Sequence, residues 1–442
     1  MKKRIFFAAA LLILVSSCRT SDFIPEIGEG TGEETVCPYY MYSLGEIIVE
    51  TENGAAVDSK DPADYRPCTV KVLDNIVDAC YSLEAHGAIR GRGNSTWYWY
   101  PKKPYRIKLD ESAGILGMKK NKDWVLLADY RDVTHMMNNV GFTLAHELGL
   151  PYANHSRYVT LTLNGKNMGL YMVTEQVEEG NNRVALHEEE GILLALDIND
   201  GPGDVPGVTN NFWSDVFGMA AAVKYPRDAT LSDRNRVKAE FAKLERAIDD
   251  CDWEAIQKLL DVESMIHYIM IQEIICNVEM DNFPSMRSGF ISRHDNASKW
   301  VMGPLWDCDG GFSYNWGDMY DRWGWGHTYF ESYKKLVFGS DPYNHRGAYG
   351  STASDFFCRL WGIPEFVEMF QARWKEVYTW LPDALLDHLD LTEEAIADAA
   401  QADLDLWGIN NYSHDEQYIA LATWLAGRFN YLNGVILKYP KY

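Results

Sequence analysis

Residues 89–108 read IRGRGNSTWYWYPKKPYRIK, and the interpretation of the whole chain turns on them. After Ile89 come two glycines, Gly91 and Gly93, then Asn94 and Ser95, with no large aliphatic side chain among them. Such a loop lets backbone amides approach phosphate oxygens. Pro101-Lys102-Lys103-Pro104 follows, and Lys108 falls in the β-prone run Tyr105–Leu109. A strand lysine beside such a loop, here Lys108, can neutralise nucleotide phosphate. The stretch lacks a complete GxGxxG and the Lys-Ser/Thr of a Walker A loop. By spacing alone, a tight turn with a solvated basic face is the simpler reading.

On either side the pattern is mostly strand. Glu46–Glu50, Cys68–Val72, Tyr105–Leu109 and Trp124–Leu127 are β-prone, and Asn53-Gly54 is a turn signal. A helix is expected from about Val133 to Leu148, closed by Gly149. Tyr158–Leu163 and Gly169–Val173 flank Asn164-Gly165, a hairpin signature. Beyond residue 228 the periodicity becomes helical. Ser232 reads as an N-cap before Val237, Phe241, Leu244 and Ile248, and Val262–Cys276 is apolar on most sides, as a buried helix would be. From Ala353 onward the pattern is helical again.

Two polar motifs follow the apolar helix. Gly303-Pro304-Leu305-Trp306-Asp307-Cys308-Asp309-Gly310-Gly311 puts two alternating aspartates after an apolar strand. Mg²⁺ is commonly held by one or two carboxylates together with substrate phosphates. A pair of turn-forming aspartates before Gly-Gly explains the same residues equally well. It is not an EF-hand loop, because no glutamate closes it. Asn277-Val278-Glu279-Met280-Asp281 either caps the helix or projects a base and a metal ligand into a cleft, and the sequence does not separate the two. No HExxH or GxSxG motif occurs.

Taken in order, these motifs resemble the CotH family of atypical, protein-kinase-like proteins. The similar segments are Ile89–Lys108, Leu116-Gly117-Met118, Asp123–Leu127, Tyr130-Arg131-Asp132, Leu163-Asn164-Gly165 with Gly169-Leu170-Tyr171, Glu175-Gln176-Val177, Lys224-Tyr225-Pro226 and Gly303–Asp309. The resemblance implies an α+β, bilobal protein-kinase-like fold, β-rich in its N-terminal half and mainly helical in its C-terminal half. It implies binding of ATP with Mg²⁺ (or Mn²⁺) and phosphorylation of Ser or Thr in a protein acceptor. Nucleotide contacts fall to Gly91, Gly93, Asn94, Ser95, Lys103, Lys108 and Glu175. Metal contacts fall to Asp307, Asp309 and Asn277, and catalysis to Glu279 with Asp281 close by. The family has aspartate where Glu279 stands, and often arginine where Met137 stands. A surface-anchored binding or assembly module with a degenerate cleft, glycan-related through aromatic side chains, is the alternative expectation.

The first residues bear on location. Lys2, Lys3 and Arg4 precede an apolar run, Ile5–Val15, too short to span a bilayer, and Ser16-Ser17-Cys18 follows. Residues 1–17 are expected to be a lipoprotein signal peptide, with Cys18 acylated and the protein exported and lipid-anchored at the outer membrane or cell surface. Residues 18–36, rich in Gly, Glu, Ser and Thr, read as an acidic tether. The remainder divides into a small β-rich segment (37–85), a kinase-like N-lobe region (86–228) and a mainly helical C-lobe region (229–442). A formal charge of −23 argues against nucleic acid or an anionic lipid surface as partner, so the membrane contact expected is through the anchor only. It also requires that any anionic substrate meet a local basic or metal-containing site. Of the eight cysteines none has zinc spacing, and one disulfide among Cys37, Cys68 and Cys80 is expected.

Overall fold

A computed structural model describes residues 42–74, 82–199, 210–281, 285–312, 333–334, 336–338, 355–409 and 412–438. The segments expected to be signal and tether, Cys18, Cys37, Cys80 and the side chain of Asp281 lie outside the described residues.

The alternating segments of the first half close on themselves. Strands β1 (Leu44–Thr51), β2 (Arg66–Leu73), β3 (Leu83–Gly91), β4 (Tyr105–Ala113), β5 (Asn121–Leu127), β6 (Ser156–Leu163) and β7 (Lys166–Glu175) form a barrel ordered β1-β2-β3-β4-β5-β7-β6. Neighbours are antiparallel except at the seam, where β1 runs parallel to β6 with Ile47 opposite Leu161. Closure removes the exposed strand edges. The inward positions, among them Ile47, Val49, Val70, Ile89, Ile107, Trp124, Leu126, Leu161 and Val173, form one buried cluster. The β6–β7 hairpin turns at Asn164 and Gly165, both with positive φ, as the sequence signal requires. Strands from the 37–85 segment are thus staves of the same barrel as those after residue 86.

A short helix, α1 (Ser95–Trp99), lies between β3 and β4, and α2 (Met137–Glu147) between β5 and β6. Helix α2 starts four residues later than its apolar pattern begins, because Asp129 and His135 take positive φ and fold residues 129–136 into turns. A second sheet, β12-β11-β8-β10-β9, follows, with β8 (Ile192–Leu196), β9 (Asn211–Trp213), β10 (Ala220–Tyr225), β11 (Gly289–Arg293) and β12 (Trp300–Met302). It draws strands from both sides of residue 228.

Helices α3 (Leu231–Asp249), α4 (Trp253–Leu259), α5 (Val262–Ile274), α6 (Asp355–Cys358), α7 (Pro364–Val377), α8 (Leu381–Leu406) and α9 (His414–Ile436) make up the rest. The N-cap of α3 is Thr230, not Ser232: Thr230 and Asp233 bond reciprocally in a capping box. All residues of α5 except Glu263 are buried, so its C-terminal end emerges inside the molecule. The α+β composition, with a β-rich first half and a helical second half, is as expected; a closed barrel is the form the β half takes. Cys68 is a free buried thiol, which removes it from the expected disulfide. Cys276 and Cys308 are free and buried in the core. No helix among the described residues is long and apolar enough to cross a membrane.

Candidate active site

Helix α5 ends at Ile274, and the chain turns at Cys276, whose φ is 50°. Asn277 Oδ1 accepts from the Glu279 amide at 3.2 Å, and Arg287 N donates to Glu279 O at 3.1 Å. These two bonds pin the Glu279 backbone from both sides. Asp307 comes from a different segment, five residues beyond β12, with φ 59° and ψ 50°. A 3₁₀ turn, Cys308–Gly310, follows it, and the Cys308 amide donates to Asn138 Oδ1 of α2 at 2.8 Å. The glycine at 310 allows close approach here: a Cβ would stand 2.7 Å from Glu279 Cδ. The Glu279 side chain therefore lies against the turn that carries Asp307.

Both carboxylates line one cleft of about 1110 Å³. Burial, then the charge of Asp307, pushes the Glu279 carboxyl up to about 8, while Arg131 and Arg287 oppose the rise. Asp307 is itself exposed at the cleft surface, yet desolvation by the protein around it, and then Asp309, push its carboxyl up against the pull of Arg131 and Arg92. Ser288 Oγ donates to Asp307 Oδ2 at 3.2 Å. Glu279 Oε2 is buried and has no hydrogen-bond partner among the described residues. Two raised carboxyls and an unpartnered carboxylate oxygen thus meet at one cleft. Among the described residues no three His, Cys, Asp or Glu side chains are arranged to hold a metal.

The cleft wall is cationic although the protein is acidic overall. Lys60, Arg90, Arg92, Arg106, Lys224, Arg227 and Arg287 outnumber Glu178, Glu179, Asp197, Glu279 and Asp307. The 89–108 stretch supplies much of this wall: Arg90, Arg92, Gly93, Asn94, Ser95, Thr96, Tyr98, Trp99 and Arg106. Lys60 Nζ donates to Gly93 O at 2.8 Å and to Asn94 Oδ1 at 2.9 Å, fixing the loop.

The remaining sequence candidates stand elsewhere. Gly91 is a packing glycine, since a Cβ there would sit 2.2 Å from the Trp97 ring. Lys103 is not on the cleft wall: its Nζ donates to Trp97 O at 2.5 Å. Lys108 is exposed two residues beyond Arg106 on the outer face of β4, and Arg106 is the strand cation in the cleft. Glu175 is buried outside it, accepting from His155 N at 2.6 Å and Arg183 Nη1 at 3.1 Å. Asp309 stands behind Asp307, paired with Arg131 at 3.4 Å. Asn277 is fully buried and shapes the Glu279 turn rather than lining the cleft. Sequence reasoning missed Arg287, Ser288 and Glu178, isolated residues with no motif to mark them. Arg92 and Arg131 were inside quoted motifs but were not singled out.

The family model described as CotH kinase protein matches residues 89–432, more than three-quarters of the chain. The chain belongs to the CotH kinase family. Membership brings a kinase-related function, with use of nucleotide and metal in general. The CotH match begins at the stretch quoted first and takes in both the Glu279 and the Asp307 segments. No curated protein matches the chain.

Proposed function

We propose that this CotH family member is a bilobal, kinase-like phosphotransferase that uses Mg²⁺ (or Mn²⁺) and ATP to phosphorylate serine or threonine of a protein acceptor. The observation carrying this reading is the convergence of Glu279 and Asp307, from separate segments, on the floor of a cation-lined cleft in an acidic protein. Asp307, oriented by Ser288 and backed by Asp309, would hold the metal. Bound there, Mg²⁺ would neutralise charge on the phosphates of the donor. The arginines of the wall bind phosphate oxygens, and the Asn94–Thr96 loop borders the donor. Glu279 accepts the proton of the attacking hydroxyl. Arg131 and Arg287 favour the ionised form that this task needs, against the burial that opposes it.

Phosphoryl transfer is chiefly positioning, and a displacement of about 1 Å costs on the order of 10²-fold. Glu279 is longer than the aspartate of the family, but Gly310 leaves space for it. Transfer of labelled γ-phosphate to a serine-rich acceptor tests the role. Glu279→Gln is expected to abolish transfer and Glu279→Asp to retain it. Transfer by Glu279→Gln equal to the parent removes Glu279 as base. No transfer by the parent across a broad acceptor panel favours a degenerate binding or assembly module.

We also propose export and anchoring through acylated Cys18, from the Val15–Cys18 box. In a diderm host, Cys18→Ala is expected to move the protein from the membrane to the soluble fraction. Retention on the membrane contradicts the anchor.

A further inference from the structure

Arg92 has a placement that sets it apart from the other arginines of the cleft wall. It leaves the end of β3 in the 89–108 stretch, and its backbone is tied down where its amide donates to Pro104 O at 3.1 Å. Its guanidinium lies over the Trp306 ring, 5.3 Å from the centroid. Trp306 directly precedes Asp307, so a barrel residue is seated on the segment that carries the carboxylate. The charges of Asp307 and Asp309 both act on Arg92. Yet among the described residues its guanidinium has no hydrogen-bond or ion-pair partner, and it lines the cleft. The other arginines of the barrel wall are engaged. Arg90 donates to Lys60 O and Gly91 O, and Arg106 pairs with Asp123 at 2.6 Å.

A guanidinium held over an aromatic ring by a cation–π contact keeps its N–H donors free. Those donors form a rigid fork that matches two oxygens of a phosphoryl group. The contact also fixes the fork before any ligand arrives, which reduces the ordering cost of binding.

We propose that Arg92 is a further catalytic residue, gripping the oxygens of the terminal, transferring phosphoryl group of the nucleotide. The assignment rests on the kinase reading and deepens it. The terminal phosphate is favoured over the inner ones because it must lie between Glu279 and Asp307, and Arg92 stands beside Asp307. No bond is made or broken by Arg92 itself; it balances charge on the terminal phosphoryl group of ATP as its bond to the departing ADP oxygen breaks and its bond to the acceptor oxygen forms, the acceptor proton passing to Glu279.

The test is binding, read without turnover. The purified protein and its Arg92→Ala and Arg92→Lys variants are titrated calorimetrically with Mg²⁺-ATP and Mg²⁺-ADP, with thermal unfolding recorded for each. A charge-assisted bidentate contact corresponds to roughly ten- to a hundred-fold in affinity. Arg92→Ala is expected to lose about that factor for ATP while its affinity for ADP stays within about two-fold. Arg92→Lys, which keeps the charge but not the fork, is expected to recover only part of the loss. An equal loss for both nucleotides, or no loss for either, overturns the assignment and leaves the kinase reading standing. If the parent binds neither nucleotide, the kinase reading fails and the assignment fails with it. If Arg92→Ala unfolds, the Arg92→Lys titration decides: an unchanged ATP-to-ADP ratio overturns the assignment, and a reduced ratio supports it.

Discussion

Glu178 shows at the scale of one residue how the cleft balances charge against burial. It lies 3.8 Å from Arg106 and 3.9 Å from Arg227, yet burial and Asp123 together push its carboxyl up to about 7. A carboxyl raised in the folded state contributes stability that is full below its unfolded pKa, about 4.3, and is lost as pH rises through about 7. Buried histidines act in the opposite sense. His146, His267 and His388 are each lowered to about 4, chiefly by burial, so their contribution is lost as pH falls below about 6.5. The total pH profile mixes both, and the difference between two variants isolates one. The unfolding temperature of Glu178→Gln minus that of the parent is expected to be more positive at pH 8 than at pH 5. A difference independent of pH would show that Glu178 titrates normally. Nothing in the sequence around Glu178 separates it from its neighbour Glu179, because the shift comes from burial and from Asp123, far away in the chain, against the pull of Arg106 and Arg227.

At the scale of elements, the short-range signals were legible and the long-range ones were not. The Asn164-Gly165 hairpin, the β4 and β5 strands and the buried helix α5 stand where the patterns put them, because turn chemistry and periodicity are local. The parallel seam of β1 with β6 joins residues more than a hundred positions apart and leaves no local trace. Lys102 is a similar case. Read as part of a basic face, it is fully buried: its Nζ donates to Asp403 of α8 at 2.8 Å and to Leu170 O of β7. Asp403 also meets His135 Nε2 at 3.0 Å and accepts from Leu170 N at 2.8 Å. Burial pushes the Asp403 carboxyl up, but Lys102 and His135 outweigh it and hold it below the usual range. This network straps the last long helices to the barrel. Lys102→Met leaves Asp403 buried without its ammonium and is expected to destabilise the protein by about 3–5 kcal/mol in urea unfolding. A loss below about 1 kcal/mol would mean that His135 alone satisfies Asp403.

At the scale of the molecule, the site was half legible. The sequence could name Asp307 and Glu279, because each sits in a compact polar motif after an apolar segment. It could not say which cations face them, since Lys60, Arg106, Arg227 and Arg287 reach the cleft from four separate segments. Nor could it show that Lys103 and Lys108 do not line the cleft, Lys103 bonding Trp97 O and Lys108 lying exposed two residues beyond Arg106 on the same face. The central claim is that Asp307 makes this cleft a site for Mg²⁺-nucleotide. Titrating Mg²⁺-ATP into the parent and into Asp307→Ala tests it most directly. The account predicts saturable, Mg²⁺-dependent binding to the parent and loss of at least about ten-fold in the variant, with the fold retained because a cleft carboxylate adds little to packing. Equal Mg²⁺-ATP affinity in a folded Asp307→Ala variant would contradict it.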